Sequence, residues 1–318
     1  MQKQLNRLTY KCRILVRKKL LSTPAIYKFT KKLHSTYCTL TGFLHVLPDF
    51  YIIGTQKGGT SSLYGYLVEH TSIQPCYSKE PSYFDRYFNR GLDWYKVNFP
   101  FKIHRFIVTK ILQKKFITGE ASVRYLDHPY AAERIKEITP NAKFIILLRN
   151  PITRAFSHHT RVRNNNRESL TFKDAFLNES KRTKEDYNKI FSDPFYYADS
   201  YFTYSYFERG IYVDKIKRWM EVFPKEQFLI IQSEEFFRDP SKIYNQVLDF
   251  LGVENFELNT YRIHGGMEQI LKRSGKVNKN RKIDSVFYNQ LLDYFKPHNQ
   301  RLYEFLGRKF DGEEEIAS

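Results

Sequence analysis

Phe50-Tyr51-Ile52-Ile53-Gly54-Thr55-Gln56-Lys57-Gly58-Gly59-Thr60-Ser61-Ser62-Leu63 reads as strand, tight loop and helix start. The four β-formers from Phe50 to Ile53 suit a buried strand of a parallel sheet. Gly54, Gly58 and Gly59 allow a sharp turn and let a ligand approach the backbone with no Cβ in the way. Thr60, Ser61 and Ser62 are good N-cap residues, and Leu63, Tyr66 and Leu67 give the following helix one apolar face. The free N–H groups of that first turn, the helix dipole and the Lys57 ammonium converge on one anion. The residue order is not that of a G-x-x-x-x-G-K-[ST] loop, because Lys57 precedes the glycine pair. An isolated stretch of this kind also fits a Gly-rich turn with no ligand, so the choice rests on a second anion-binding element.

That element follows from Lys143. Lys143 to Leu148 is an almost wholly apolar strand closed by Arg149, Asn150-Pro151 turns the chain, and Thr153 to Arg163 forms a helix bearing Ser157. Further strands are expected over Phe116–Glu120 and Phe228–Gln232, and helices over Ala131–Ile138, Ser241–Leu251 and Tyr288–Leu306. Residues Asn164 to Ser200 are polar and charged and read as a mobile insertion with a helix near Phe172 to Lys184. His158 and His159 read as helix-surface residues. Alternating buried strands and helices imply a three-layer α/β fold with a mainly parallel central sheet flanked by helices. Ligands of such folds sit at the carboxyl ends of strands, which puts the Lys57 loop and Arg149 on one rim.

The chain has 318 residues and a formal net charge of +18. Residues 1–48 hold ten Lys/Arg and no acid, the first acidic residue being Asp49. This balance favours polyanionic partners: nucleic acid, anionic glycan or an anionic membrane surface. Leu5, Leu8, Cys12, Leu15 and Val16 fall at helical spacing among basic residues, with Pro24 as the expected stop. Membrane contact, packing on the domain and polyanion binding all fit that helix. The organisation expected is a basic arm over 1–48, one domain over 49–310 and an acidic tail over 311–318. Three unpaired-looking cysteines, no long apolar run and no signal-like core point to a cytoplasmic protein, with peripheral membrane contact open through the arm.

Two cation-bearing strand ends suit a ligand with two separated phosphate-like groups. A Mg·ATP enzyme needs a carboxylate near the triphosphate. Glu120 ends a strand, so a nucleoside or sugar kinase is a rival reading. A non-catalytic polyanion-binding protein is another, although no RNA-binding signature is apparent and no nucleic-acid partner is expected.

The chain resembles the sulfotransferases that use 3′-phosphoadenosine 5′-phosphosulfate (PAPS), especially the heparan-sulfate type and its bacterial relatives. The matching pieces are Ile53 to Thr60, Leu148-Arg149-Asn150-Pro151 with Arg154 and Ser157, Lys79-Glu80-Pro81 with Tyr83-Phe84-Asp85, and Asp93-Trp94-Tyr95. Glu208-Arg209-Gly210 with Tyr212, Phe250-Leu251-Gly252 and Phe295 to Gly307 follow in order. The resemblance implies a P-loop-like fold, and PAPS as co-substrate with no metal. It places Lys57, Gly58, Gly59, Thr60, Ser61 and Ser62 on the 5′-phosphosulfate and Arg149 and Ser157 on the 3′-phosphate. Lys279 and Arg281 stand where the family has a late Lys-Gly-Arg loop, with Asn280 in place of glycine. Lys79, Glu80, Tyr83 and Phe84 fall on the acceptor side. Some relatives carry a lysine where this chain has Ala121, so that acceptor contact is either missing or supplied by Arg124.

The chemistry agrees. Sulfuryl transfer needs positioning and charge stabilisation more than covalent help. Lys57 would neutralise charge on the departing phosphate, and Glu80 would take the proton from a hydroxyl or amine of a carbohydrate or glycolipid acceptor.

Overall fold

The computed structural model describes residues 24–261 and 283–310. Five strands form one sheet: β1 (Phe50–Gly54), β2 (Ile73–Pro75), β3 (Ile117–Ala121), β4 (Lys143–Leu148) and β5 (Phe228–Gln232). The order is β2-β3-β1-β4-β5, and every neighbouring pair is parallel. β1 is central because its side chains are apolar on both faces; Phe50 to Ile53 have no exposed surface. Tyr51 faces Glu120 of β3 on one side and Phe144 of β4 on the other. The carboxyl ends of β1, β3 and β4 therefore lie side by side, flanking the switch point where ligands of this architecture bind.

Helices of eight residues or more pack around the sheet. In chain order they are α1 (Pro24–Thr41), α2 (Thr60–Leu67), α3 (Ala131–Ile138), α4 (Pro151–Asn164), α5 (Phe172–Ser192), α6 (Val213–Val222), α7 (Pro240–Leu251) and α8 (Ser285–Leu306). This is the three-layer, P-loop-like arrangement expected. The main core runs from β1 and β4 to Trp219 of α6 and Val247 of α7. A second cluster joins Ile152 of α4 to Phe207 and to Leu291 of α8.

Two sequence expectations change. The stretch 164–200 is not a loose insertion: α5 runs through Ser192, and its Glu179 accepts bonds from the backbone N–H groups of Phe207 and Glu208 at 2.7–3.1 Å. His158 and His159 are buried rather than on the surface. His159 Nε2 lies 3.0 Å from Leu170 O, and both rings pack on Tyr206. Burial pushes both imidazoles below their ordinary range, so they are neutral packing groups. Pro24 is the first described residue of α1, and the helix it was expected to stop lies outside the described residues. Residues beyond it are joined to the domain, since His45 Nδ1 lies 2.6 Å from Phe99 O and Val46 N–H bonds Pro100 O at 2.9 Å. The basic helix read over Leu5–Val16, the late loop with Lys279 and Arg281, and the acidic tail lie outside the described residues.

Candidate active site

The loop after β1 is shaped from behind. Gly59 has φ +99°, and a Cβ there would meet Phe237 at 2.8 Å; a Cβ on Gly58 would meet Leu147 O at 2.8 Å. The glycines thus let the loop close onto β4 and the segment after β5, a requirement of the protein itself and not only of a ligand. Ser233 Oγ donates to Gly58 O at 2.8 Å, fixing the turn. α2 starts at Thr60, and its ladder begins with the Ser62 and Leu63 N–H groups on Gly59 O. The Thr60 and Ser61 amides precede that ladder, so they face out of the positive helix end. Thr60 and Ser62 side chains are buried, while Ser61 is exposed.

Lys57 sits in this loop at φ +75°. Burial lowers its pKa to about 8, and the charged groups acting on it are the cations Arg161 and Arg149. Arg149 leaves the end of β4 and donates from Nη1 to Lys57 O at 3.1 Å and from Nε to Thr153 Oγ1 at 3.2 Å. Its guanidinium lies 5.5 Å from the Phe237 ring centre. The Asn150-Pro151 pair starts α4: Asn150 Oδ1 accepts the N–H groups of Ile152 and Thr153, and Pro151 occupies the first turn. Ser157 is buried one turn further on. Like charges forced together in partial burial are costly, and an anion placed among them relieves that cost. The cations and helix end fit a phosphosulfate and a second phosphate.

Arg161 was not among the sequence candidates. It lies four residues after Ser157 on α4, a spacing that puts both on one helix face and could have shown it. A buried brace was also missed. Gln56 accepts from Arg209 Nη1 at 2.7 Å, and Arg209 pairs with Asp127 at 2.7 Å. Arg209 and Lys215 hold the Asp127 carboxyl below its usual range despite burial. The motif residue Gln56 is thereby fixed to the domain floor.

The acceptor-side segment approaches the same helix end. Lys79 Nζ donates to Ser61 Oγ and lies 3.5 Å from Glu80 Oε1. Glu80 has φ +60°, a left-handed backbone that is rare for a residue before proline. The segment is held there by Glu120. Ser82 N–H bonds Ser122 Oγ at 3.2 Å, and that hydroxyl donates to Glu120 at 2.5 Å. Tyr83 N–H bonds Tyr125 Oη at 3.0 Å, and Tyr125 donates to Glu120 at 3.0 Å. Tyr95 adds a third hydroxyl at 2.5 Å. Glu120 is therefore an anchor inside the protein, with its pKa pushed up by burial to about 7.

Tyr83 and Phe84, expected beside the acceptor, are buried instead. Tyr83 stacks on Tyr95 at 4.6 Å, and Phe84 packs edge-on to Tyr95 and Tyr125. They brace the segment. Arg124 bonds Tyr197 Oη and faces the buried Asp85, whose pKa burial raises to about 6 while Arg124 opposes the rise. Among the described residues no group of three or more His, Cys, Asp or Glu is placed to hold a metal ion.

Glu120 gives a test by pH. Its folded pKa of about 7 exceeds the ordinary value of 4.5, so between these the folded chain holds a proton the unfolded chain has released. Its contribution to stability is largest below that window and is lost as pH rises through it. Glu120→Gln cannot ionise. Melting temperature between about pH 5 and 8 is expected to fall less steeply for the variant than for the parent. Parallel curves would place the slope on other groups.

With the geometry in view, comparison with known proteins is informative. The human bifunctional heparan sulfate N-deacetylase/N-sulfotransferase 3 is 31% identical over 82% of this chain, which spans 30% of that protein. Human heparan sulfate glucosamine 3-O-sulfotransferase 6 is 25% identical, covering 83% of this chain and 73% of its own length. The membrane-associated sulfotransferase kil1 of Dictyostelium discoideum is 25% identical over 90% of this chain and 70% of its own. The crystal structure of a sulfotransferase from Alicyclobacillus acidocaldarius matches with a TM-score of 0.60 and 27% identity, covering 83% of this chain and 98% of that one. The family model described as "Sulfotransferase domain" spans residues 47–285, which include β1 to β5, the Lys57 loop and α4. The chain belongs to the sulfotransferase domain family and is an enzyme of that kind.

Proposed function

We propose that this sulfotransferase moves a sulfuryl group from PAPS to a hydroxyl or amine of a carbohydrate acceptor: a glycan, polysaccharide or glycolipid. The observation that carries the reading is the cation cluster at the α2 N-terminus: Lys57, partly desolvated and repelled by Arg149 and Arg161, with Lys79 reaching in from the acceptor segment through Ser61. Lys57 and the first-turn amides of α2 would hold the phosphosulfate; Arg149, with Ser157 below it, would hold the 3′-phosphate. Glu80 is the carboxylate nearest the Lys79 bridge and is open to solvent, so an acceptor can reach it. The heparan sulfate relatives support a carbohydrate acceptor, and the excess positive charge suits one that is acidic.

The two anion positions are separable by experiment. Arg149→Ala should weaken 3′-phosphoadenosine 5′-phosphate (PAP), the desulfated product, by about 1.5–3 kcal/mol, the worth of a charge-assisted hydrogen bond. Adenosine 5′-phosphosulfate lacks the 3′-phosphate, so its affinity should change far less. Calorimetry with both ligands decides. Equal weakening would mean that Arg149 does not read the 3′ group, and binding of Mg·ATP but not PAP would overturn the cofactor.

A further inference from the structure

The fold carries an exposed apolar surface that the transfer site does not use. The short helix Lys102–Phe106 continues as π-helical turns over Ile107–Ile111, and none of its residues is buried. Its inner side is fixed by Arg105, which pairs with Asp49 at 2.5 Å, and by Val108 at the edge of the core. This turns Ile103, Phe106, Ile107 and Ile111 outward, with Phe106 53% and Ile111 63% exposed. Their spacing of i, i+3, i+4 and i+8 makes one continuous face, and exposed Lys110 lies within it.

α1 supplies a second apolar strip. Leu33, Tyr37 and Leu40 are exposed at i, i+4 and i+7, and Phe43 follows. The two strips are joined by an antiparallel bridge between His45 and Phe101, whose rings lie 4.1 Å apart, with Tyr37 6.3 Å from His45. The two segments themselves carry charge of one sign, with Asp49 on Arg105 and Asp93 against Gly42 as the acids beside them. Residues 24–48 contain three lysines and no acid; residues 101–115 contain four lysines, one arginine and no acid. Residues 1–23 of the sequence add seven Lys/Arg and again no acid.

We propose that this face lies on an anionic lipid bilayer, its aliphatic side chains and Phe106 entering the acyl boundary and its lysines at phosphate level. A ten-residue helix is about 15 Å long against a hydrocarbon core of about 30 Å, so the segment lies in the interface rather than crossing it. A soluble polyanion would use the charge but leave Ile103, Ile107 and Ile111 in water. A second copy of the same face would bring like charges together. The bilayer alone satisfies both features, and the lysine stems extend the apolar area.

The test uses the full chain with vesicles of phosphatidylcholine alone, or with about 30 mol % phosphatidylserine. The parent protein should sediment with the anionic vesicles and much less with the neutral ones. Phe106→Ser/Ile107→Ser/Ile111→Ser should bind the anionic vesicles on the order of tenfold or more weakly. Its melting temperature and PAP affinity should be unchanged. Lys110→Glu/Lys114→Glu keeps the apolar residues and should also lose about tenfold or more; it keeps the question open to measurement if the triple variant fails to fold. Several results would overturn the proposal. They are no vesicle binding by the parent, equal binding by the variants (attachment through residues 1–23 alone), a parent dimer that the triple variant makes monomeric, or a folded triple variant destabilised by several degrees because other residues of the chain cover the face.

Discussion

Glu80→Gln is expected to lower turnover by roughly 10²–10⁴-fold, the usual contribution of a general base. PAP affinity should stay within about threefold, or under ~0.7 kcal/mol. The substitution keeps size and shape and removes only the ability to accept a proton. The cation site is built from other residues: Lys57, Arg149 and the start of α2. The backbone beside Glu80 is held independently of its charge, because the hydroxyls of Ser122 and Tyr125 bond the N–H groups of Ser82 and Tyr83; among the described residues the charge itself pairs only with the exposed Lys79. Glu80→Gln therefore separates chemistry from assembly. Steady-state turnover with a saturating acceptor, set beside PAP titration, checks it. Normal turnover would remove Glu80 as the base. Loss of PAP binding would make Glu80 structural.

Lys57→Ala should behave differently, losing both rate and affinity. Removing one preorganised donor from a developing anion costs about 10²–10³ in turnover. Because the ammonium also meets the ground-state phosphosulfate, affinity should fall by about 1.5–3 kcal/mol. The sign of its pH dependence follows from its lowered pKa of about 8. In the free enzyme the charge is present below that value and is lost as pH rises through it, so PAP affinity should decline above about pH 8 in the parent. An anion favours the protonated form, and binding should therefore take up a proton near that pH. Lys57→Ala should lack this alkaline limb. Calorimetry across the window in two buffers measures both. A parent whose affinity is flat across it would detach Lys57 from the anion.

The parts of the molecule legible in the sequence are those with strong local patterns. Phe50 to Ile53, Phe144 to Leu148 and Phe228 to Ile231 are uninterrupted apolar runs, and each lies in a strand of the sheet. Ala131 to Ile138 stands between turn signals and is a helix with the same bounds. Asn150-Pro151 reads as the turn before a helix, and in the structure Asn150 caps that helix. Other features depend on distant partners. β2 is three residues long and ends in Pro75, too short to carry a period. His158 looks exposed among polar neighbours until Tyr206, from a segment some fifty residues on, covers it. Glu120 reads as a strand-end carboxylate open to a ligand, yet three hydroxyls drawn from Tyr95, Ser122 and Tyr125 enclose it. For the site, residue types and spacing pointed to Lys57 and Arg149. What holds them, from Gln56 on Arg209 to Lys57 O on Arg149, required the packed chain.

Transfer itself is the most direct measurement. The purified chain, incubated with PAPS carrying a radiolabelled sulfuryl group and a panel of acidic and neutral glycans and glycolipids, should pass label to a carbohydrate and release PAP in equal amount, without added metal. Glu80→Gln run beside it should release neither above background. PAP formed without labelled carbohydrate, or label transferred only to an acceptor that is not a carbohydrate, would contradict the account.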